Sequence, residues 1–240
     1  MAVDISELQA IDFALGAFVL SAFVGMAANG PDNYVRFLSR PAKEKIYRVD
    51  HDDAKALLDK IAADKKGDGS TVTPSAENRP DLPVIGYYRK PGISNGDLIS
   101  VSGMGRIRYS DDLLTALGVM TMPISLDYSM TFAAWDKPTL DKMCLAWYVR
   151  MAAYRRARFI YPVKIADEIL EVPVALSDNK TVMFSDASMP TSEQRLLAVT
   201  TALTLVTQAV AGEAITPIDS IEVHGITENY ISRSFEVERG

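Results

Sequence analysis

One cysteine and two histidines leave this 240-residue sequence little material for a transition-metal site. A nucleophile needs a base within hydrogen-bond reach and a third group to orient it. Cys144 falls with Leu140, Met143, Trp147 and Met151 on one helical stripe, which makes it a buried structural thiol. His51 lies among Asp50, Asp52 and Asp53, where a metal cluster competes with a solvated helix start, and the helix start is the better reading. His224, between Val223 and Gly225, has no acidic or cysteine partner at ligand spacing. Ser102-Gly103-Met104-Gly105 lacks the strand-turn-helix setting of a phosphate site and reads as a flexible loop. No zinc spacing and no nucleophile elbow is present. The residues therefore nominate no catalytic, cofactor-binding or metal site, and the expectation is a protein that is not an enzyme.

The side chains that remain for recognition are arginines. Arg106 and Arg108 stand in a Gly- and Ser-rich stretch from Ile99 to Asp112. Arg155, Arg156 and Arg158 follow the apolar stripe of Cys144, where a helix dipole favours cations. These five are the candidate interface residues, for an acidic partner or for DNA. A formal net charge of -6 and a pI near 5.0 argue against a dedicated nucleic-acid binder. They leave open a surface that lets DNA slide past without gripping it. The lone cysteine forbids an intramolecular disulfide and fits a reducing site of synthesis.

The elements that must position these residues follow from periodicity. Phe13 to Ala28 is 16 residues without a charge, broken by Gly16, Ser21 and Gly25. It is too short and too interrupted to span a membrane and has no basic region before it, so it predicts a buried helix or strand. After the Asn29-Gly30-Pro31-Asp32 turn, Tyr34–Arg40 and Ile46–Val49 read as short extended pieces. Ala54, Leu57, Leu58 and Ile61 predict an amphipathic helix capped by Asp50 or Asp52. From Asp64 to Pro80 the chain reads as a solvated loop, and Ser94-Asn95-Gly96-Asp97 as a turn. Ile124, Leu126, Tyr128, Met130 and Phe132 alternate with polar residues and predict a strand ending at Trp135. Asp136 then caps a helix with Leu140, Met143, Cys144, Trp147, Met151 and Tyr154 on one face. Leu170, Val172, Val174 and Leu176 predict a strand that Pro173 marks as an edge. Leu197 to Val206, rich in threonine, predicts another. Ile215 to Gly240 reads as an arm that docks on a neighbour.

Together these predict an α+β fold: a mixed, largely antiparallel sheet flanked by helices, with long loops and terminal arms. One domain covers 1–240, with an apolar element over 1–30, a core over 31–212 and a C-terminal arm over 213–240.

The order of elements resembles a known family. The proline-initiated strand Leu82-Pro83-Val84-Ile85-Gly86-Tyr87-Tyr88 leads into a turn-rich crossing and then into Met122-Pro123-Ile124-Ser125-Leu126-Asp127-Tyr128-Ser129-Met130. A helix of about five turns, the aromatic-proline strand Phe159-Ile160-Tyr161-Pro162 and the threonine-rich strand follow. Over Arg36 to Val210 this resembles the tail sheath terminators of contractile-tailed bacteriophages. The resemblance implies a homo-hexameric ring at the head-proximal end of the tail, touching sheath and tube proteins below and neck or connector proteins above. DNA would pass through without specific binding, no cofactor or membrane would be involved, and the ring would be assembled in the host cytoplasm into the virion. Another neck, tube-terminator or baseplate ring component shares the same chemistry. An enzyme or ligand-binding domain is the rival of another class, and a concave pocket of convergent polar groups would favour it.

Overall fold

The alternation of Ile124, Leu126, Tyr128, Met130 and Phe132 with smaller residues does build a strand, and in the computed structural model that strand runs well beyond the alternation, over Ala116–Ala134. The structure describes residues 3–5, 8–51, 53–66, 82–96, 106–109, 116–153, 158–165, 168–178, 181–191 and 195–215. In chain order the elements are β1 (Val3–Ile5), α1 (Leu8–Ser21), α2 (Asp32–Ser39), a 3-10 turn (Ala42–Glu44), β2 (Ile46–Arg48), α3 (Ala54–Lys66), β3 (Val84–Arg89), β4 (Ser94–Asn95) and β5 (Arg106–Tyr109). The long strand is β6; then come α4 (Lys137–Ala153), β7 (Arg158–Ile165), β8 (Glu168–Leu176), β9 (Ser185–Asp186), β10 (Met189–Pro190) and β11 (Arg195–Ile215).

The threonine-rich segment is β11, and it pairs antiparallel with the whole of β6, from Leu197 opposite Ala134 to Ile215 opposite Ala116. β-branched threonines suit such a pleated surface. Around this pair the sheet runs β2-β3-β6-β11-β8-β7. Among the described residues only β2 and β3 pair in parallel; the other pairings are antiparallel. The fold is α+β, a mixed, largely antiparallel sheet with helices against it.

The apolar run is helical, and its place explains its composition. α1 packs against both β2 and β7, the two ends of the sheet order. Six strands laid flat would hold those ends about 24 Å apart, more than twice the width of a helix. The sheet therefore curls, and α1 sits across its opening. Ile11, Leu15, Phe18 and Val19 join Leu126, Tyr128, Met130, Phe132, Met143 and Trp147 in the main core. Phe18 stacks on Phe159 at 5.0 Å and meets Trp147 edge-on at 6.5 Å. α3 covers the opposite face of the sheet, packing Leu57, Leu58 and Ile61 on Val84, Ala133, Leu196 and Ala198. Gly86 permits that close approach, because a Cβ there would lie 3.1 Å from the Leu57 methyls.

Several expectations are corrected. Residues 32–39 form a helix where an extended piece was expected. Tyr34 and Phe37 are both buried at a spacing of three, and Pro31 with Asp32 in the first turn starts the helix. α3 is headed by Asp53, whose Oδ1 accepts the Lys55 N–H at 2.9 Å, in place of the expected Asp50; Asp52 lies outside the described residues. β8 as a whole is not an edge strand, since it lies between β7 and β11, but it pairs with β11 only at Ala175 and Leu176, so Pro173 has a ladder partner on the β7 side alone. Ser94 and Asn95, read as turn, pair as β4 with Ser125 and Ile124. α3 continues to Lys66, and the rest of the expected loop up to Pro80 lies outside the described residues, as does the arm from 216 onward. The cap at α4 is as expected: Asp136 Oδ1 accepts the Thr139 N–H at 2.8 Å, and its Oδ2 accepts Asn33 Nδ2 at 2.8 Å, tying α2 to α4.

Candidate functional site

Three of the five candidate interface arginines are described, and they lie in two places. Arg106 and Arg108 do not lie in a loop; they belong to β5, paired with Val119 and Leu117 at the far end of β6. Arg158 begins β7 opposite Ala175, is exposed, and sits across β8 and β11 from Ser125. Six to eight residues along β6 and four strand spacings separate the two places, roughly 20 Å in each direction. Arg155, Arg156 and His224 lie outside the described residues, as does the Ser102-Gly103-Met104-Gly105 segment.

Two of the residues nominated for chemistry, Cys144 and His51, are described. Cys144 is half-buried against the core, and burial, reinforced by Asp141, pushes its thiol up to about 12, so it stays protonated at neutral pH. His51 is exposed in the bend before α3. Among the described residues no three His, Cys, Asp or Glu side chains gather as a metal site.

The polar constellation that does stand out is one the sequence reading missed. Asp12, on α1, is fully buried. Its Oδ1 accepts the Tyr128 hydroxyl at 2.7 Å and Arg89 Nε at 3.1 Å. Arg48 Nη2 lies 3.1 Å from Oδ2, an ion pair without hydrogen-bond alignment. Burial holds the Tyr128 phenol well above its usual range, and the hydrogen bond to Asp12 adds to it. Tyr87 is raised by burial and by the Asp12 charge, against the pull of Arg48. A buried carboxylate needs paired cations and donors, and here they come from β2, β3 and β6. The cluster pins α1 to three strands, and a carboxylate engaged in this way is poorly placed to take a substrate proton. The signal was readable: Asp12 shares a helical face with Leu8, Ile11, Leu15 and Val19, where a lone charge demands partners.

A second feature was also missed. α4 buries Leu140, Met143, Trp147 and Met151, yet Leu145, Tyr148 and Val149 on its outer face are 55%, 47% and 53% exposed. Ala152 continues this second stripe and is exposed as well. The spacing of three and four was visible in the sequence, masked by the stronger stripe beside it. Among the described residues no helix is long and apolar enough to cross a membrane. Comparison with protein-family models and with curated proteins finds no match.

Proposed function

We propose that this chain is a structural subunit that assembles with copies of itself, a ring-forming tail sheath terminator joining the contractile tail of a bacteriophage to its neck. The observation that carries the self-assembly is the outer face of α4. A helix apolar on both faces belongs in an interior, and the single chain buries only one of them. Leu145, Tyr148 and Val149 form the kind of continuous apolar patch that marks an interface. The long ribbon is a second support. The 19 residues of β6 span roughly 60 Å, whereas a compact domain of this length has a diameter of about 45 Å. Its far end carries β5, with Arg106 and Arg108, on one side and β11 on the other. The position in a tail, the hexameric count, the passage of DNA through the ring and the virion location rest on the order of elements alone.

The test is negative-stain microscopy and light scattering on the parent and on a Leu145→Asp/Val149→Asp double variant. Parent protein forms rings with a central hole wide enough for duplex DNA. The variant keeps its melting temperature and runs as a monomer. A parent that stays monomeric in the presence of tail proteins, or a variant that still forms rings, overturns the reading.

A further inference from the structure

Two shallow grooves on the body share one border. The first, about 510 Å³, opens between the end of α1 and α2 and is lined by Leu20, Phe23, Val24, Met26, Val35 and Leu38. Val24 is 71% exposed there. The second, about 420 Å³, lies beside β2 and is bordered by Lys43, Arg48 and Lys60 with Asp50. Residues 42–48 separate them, with Ala42 and Lys45 on the first and Lys43, Ile46 and Arg48 on the second. Between Arg36 and Arg48 the chain carries Arg36, Arg40, Lys43, Lys45 and Arg48 against Glu44 alone, in a molecule whose net charge is -6. The face is an apolar slot with a basic rim; Arg48 is already held by Asp12 and Lys45 donates to the Leu38 carbonyl, so the exposed Arg36 and Lys43 supply the charge that meets a ligand. It suits a chain segment that is apolar at intervals and acidic between.

We infer that the occupant is residues 216–240 of a second copy of this chain; the inference rests on the self-assembly reading for the presence of that copy. The segment supplies Ile218, Ile221, Ile226, Ile231 and Phe235, separated by five carboxylates (Asp219, Glu222, Glu228, Glu236, Glu238) against two arginines. The chemistry complements the groove on both counts: isoleucine and phenylalanine for the slot, carboxylates for the rim. Geometry selects a different copy over the same one. β11 ends at Ile215 opposite Ala116, while the groove lies at the other end of β6, where Phe23 packs 6.5 Å from Phe132. Sixteen residues of strand separate these points, about 50 Å along the strand. Spanning that distance to its own groove would take about 15 of the 25 residues fully extended, drawing Ile218, Ile221 and Ile226 out of the slot, whereas a neighbour's groove leaves the whole segment to dock.

The experiment places a photo-crosslinking residue in place of Val24 in the full chain, an exposed position whose change leaves the core alone. Heavy-isotope-labelled and unlabelled copies are mixed, assembled and irradiated, with particle mass followed in parallel by light scattering. Crosslinks that map to 216–240 and join a heavy to a light copy are the expected result. Excess synthetic peptide of residues 216–240 removes most of that yield. Crosslinks confined to one copy, to any other segment, or absent from particles that remain multimeric overturn the inference while the assembly reading stands. A preparation that is monomeric throughout overturns the assembly reading, and this inference with it.

Discussion

Tyr128 and Asp12 are separated by 116 residues, and the hydroxyl of the first donates to the carboxylate of the second at 2.7 Å. That bond joins the central strand to the helix closing the sheet. Asp12→Asn leaves Arg89 and Arg48 facing a neutral amide; because both guanidiniums are partly exposed, the cost is about 2–4 kcal/mol, below the figure for a fully buried pair. Tyr128→Phe costs about 1.5–3 kcal/mol, the range for a hydrogen bond to a charged group. The double variant loses less than the sum, since Asp12→Asn already weakens the charge-assisted bond that Tyr128→Phe removes. Urea denaturation of the four proteins measures each term, and an Asp12→Asn midpoint equal to the parent's contradicts the pinning role.

Alkaline titration reads the same cluster from the other side. Burial raises the phenols of Tyr128, Tyr87 and Tyr34 above the ordinary value of 10.0. A raised phenol means the fold prefers the neutral form. Its stabilisation is therefore complete below the unfolded value, about pH 10, and erodes as pH climbs toward the folded value. Phenolate absorbance followed upward from neutral pH shows these tyrosines ionising late and together with unfolding. A smooth titration of every tyrosine near its ordinary value, with the fold intact, contradicts this placement.

Trp147 anchors α4 on the sheet, fully buried between Phe18 and Phe132. Trp147→Ala removes that anchor at a cost of about 3–5 kcal/mol. Trp147→Phe costs far less, because the buried indole N–H has no hydrogen-bond partner to lose. Thermal melts of the two variants separate packing from polar loss. Equal destabilisation by both would show that the indole N–H is engaged.

What periodicity could and could not reveal follows from the range of each interaction. The Ile124–Phe132 strand, the Trp147 stripe with its Asp136 cap, and the threonine-rich β11 were legible because their signals repeat within a few residues. Residues 34–40 were misread although Tyr34 and Phe37 stand at helical spacing; Pro41 drew the eye to an extended reading, and eight residues give a period little room to repeat. The first residues of β6 were illegible, since Ala116 to Met120 do not alternate and owe their strand form to β5 and β11 on either side. Asp12 went unread, because its partners Arg48, Arg89 and Tyr128 lie on strands that the sequence spaces far apart.

The closure of the sheet by α1 fixes an order of events during synthesis. α1 leaves the ribosome before every strand that receives it, and its landing site includes β7, which follows it by more than a hundred residues. Until β6 and β7 have been translated, Ile11, Leu15, Phe18 and Val19 have no interior to enter. A nascent chain therefore carries an apolar helix bearing a buried-type aspartate through most of its elongation. This makes the helix a natural ligand for ribosome-associated chaperones and its docking one of the closing acts of folding.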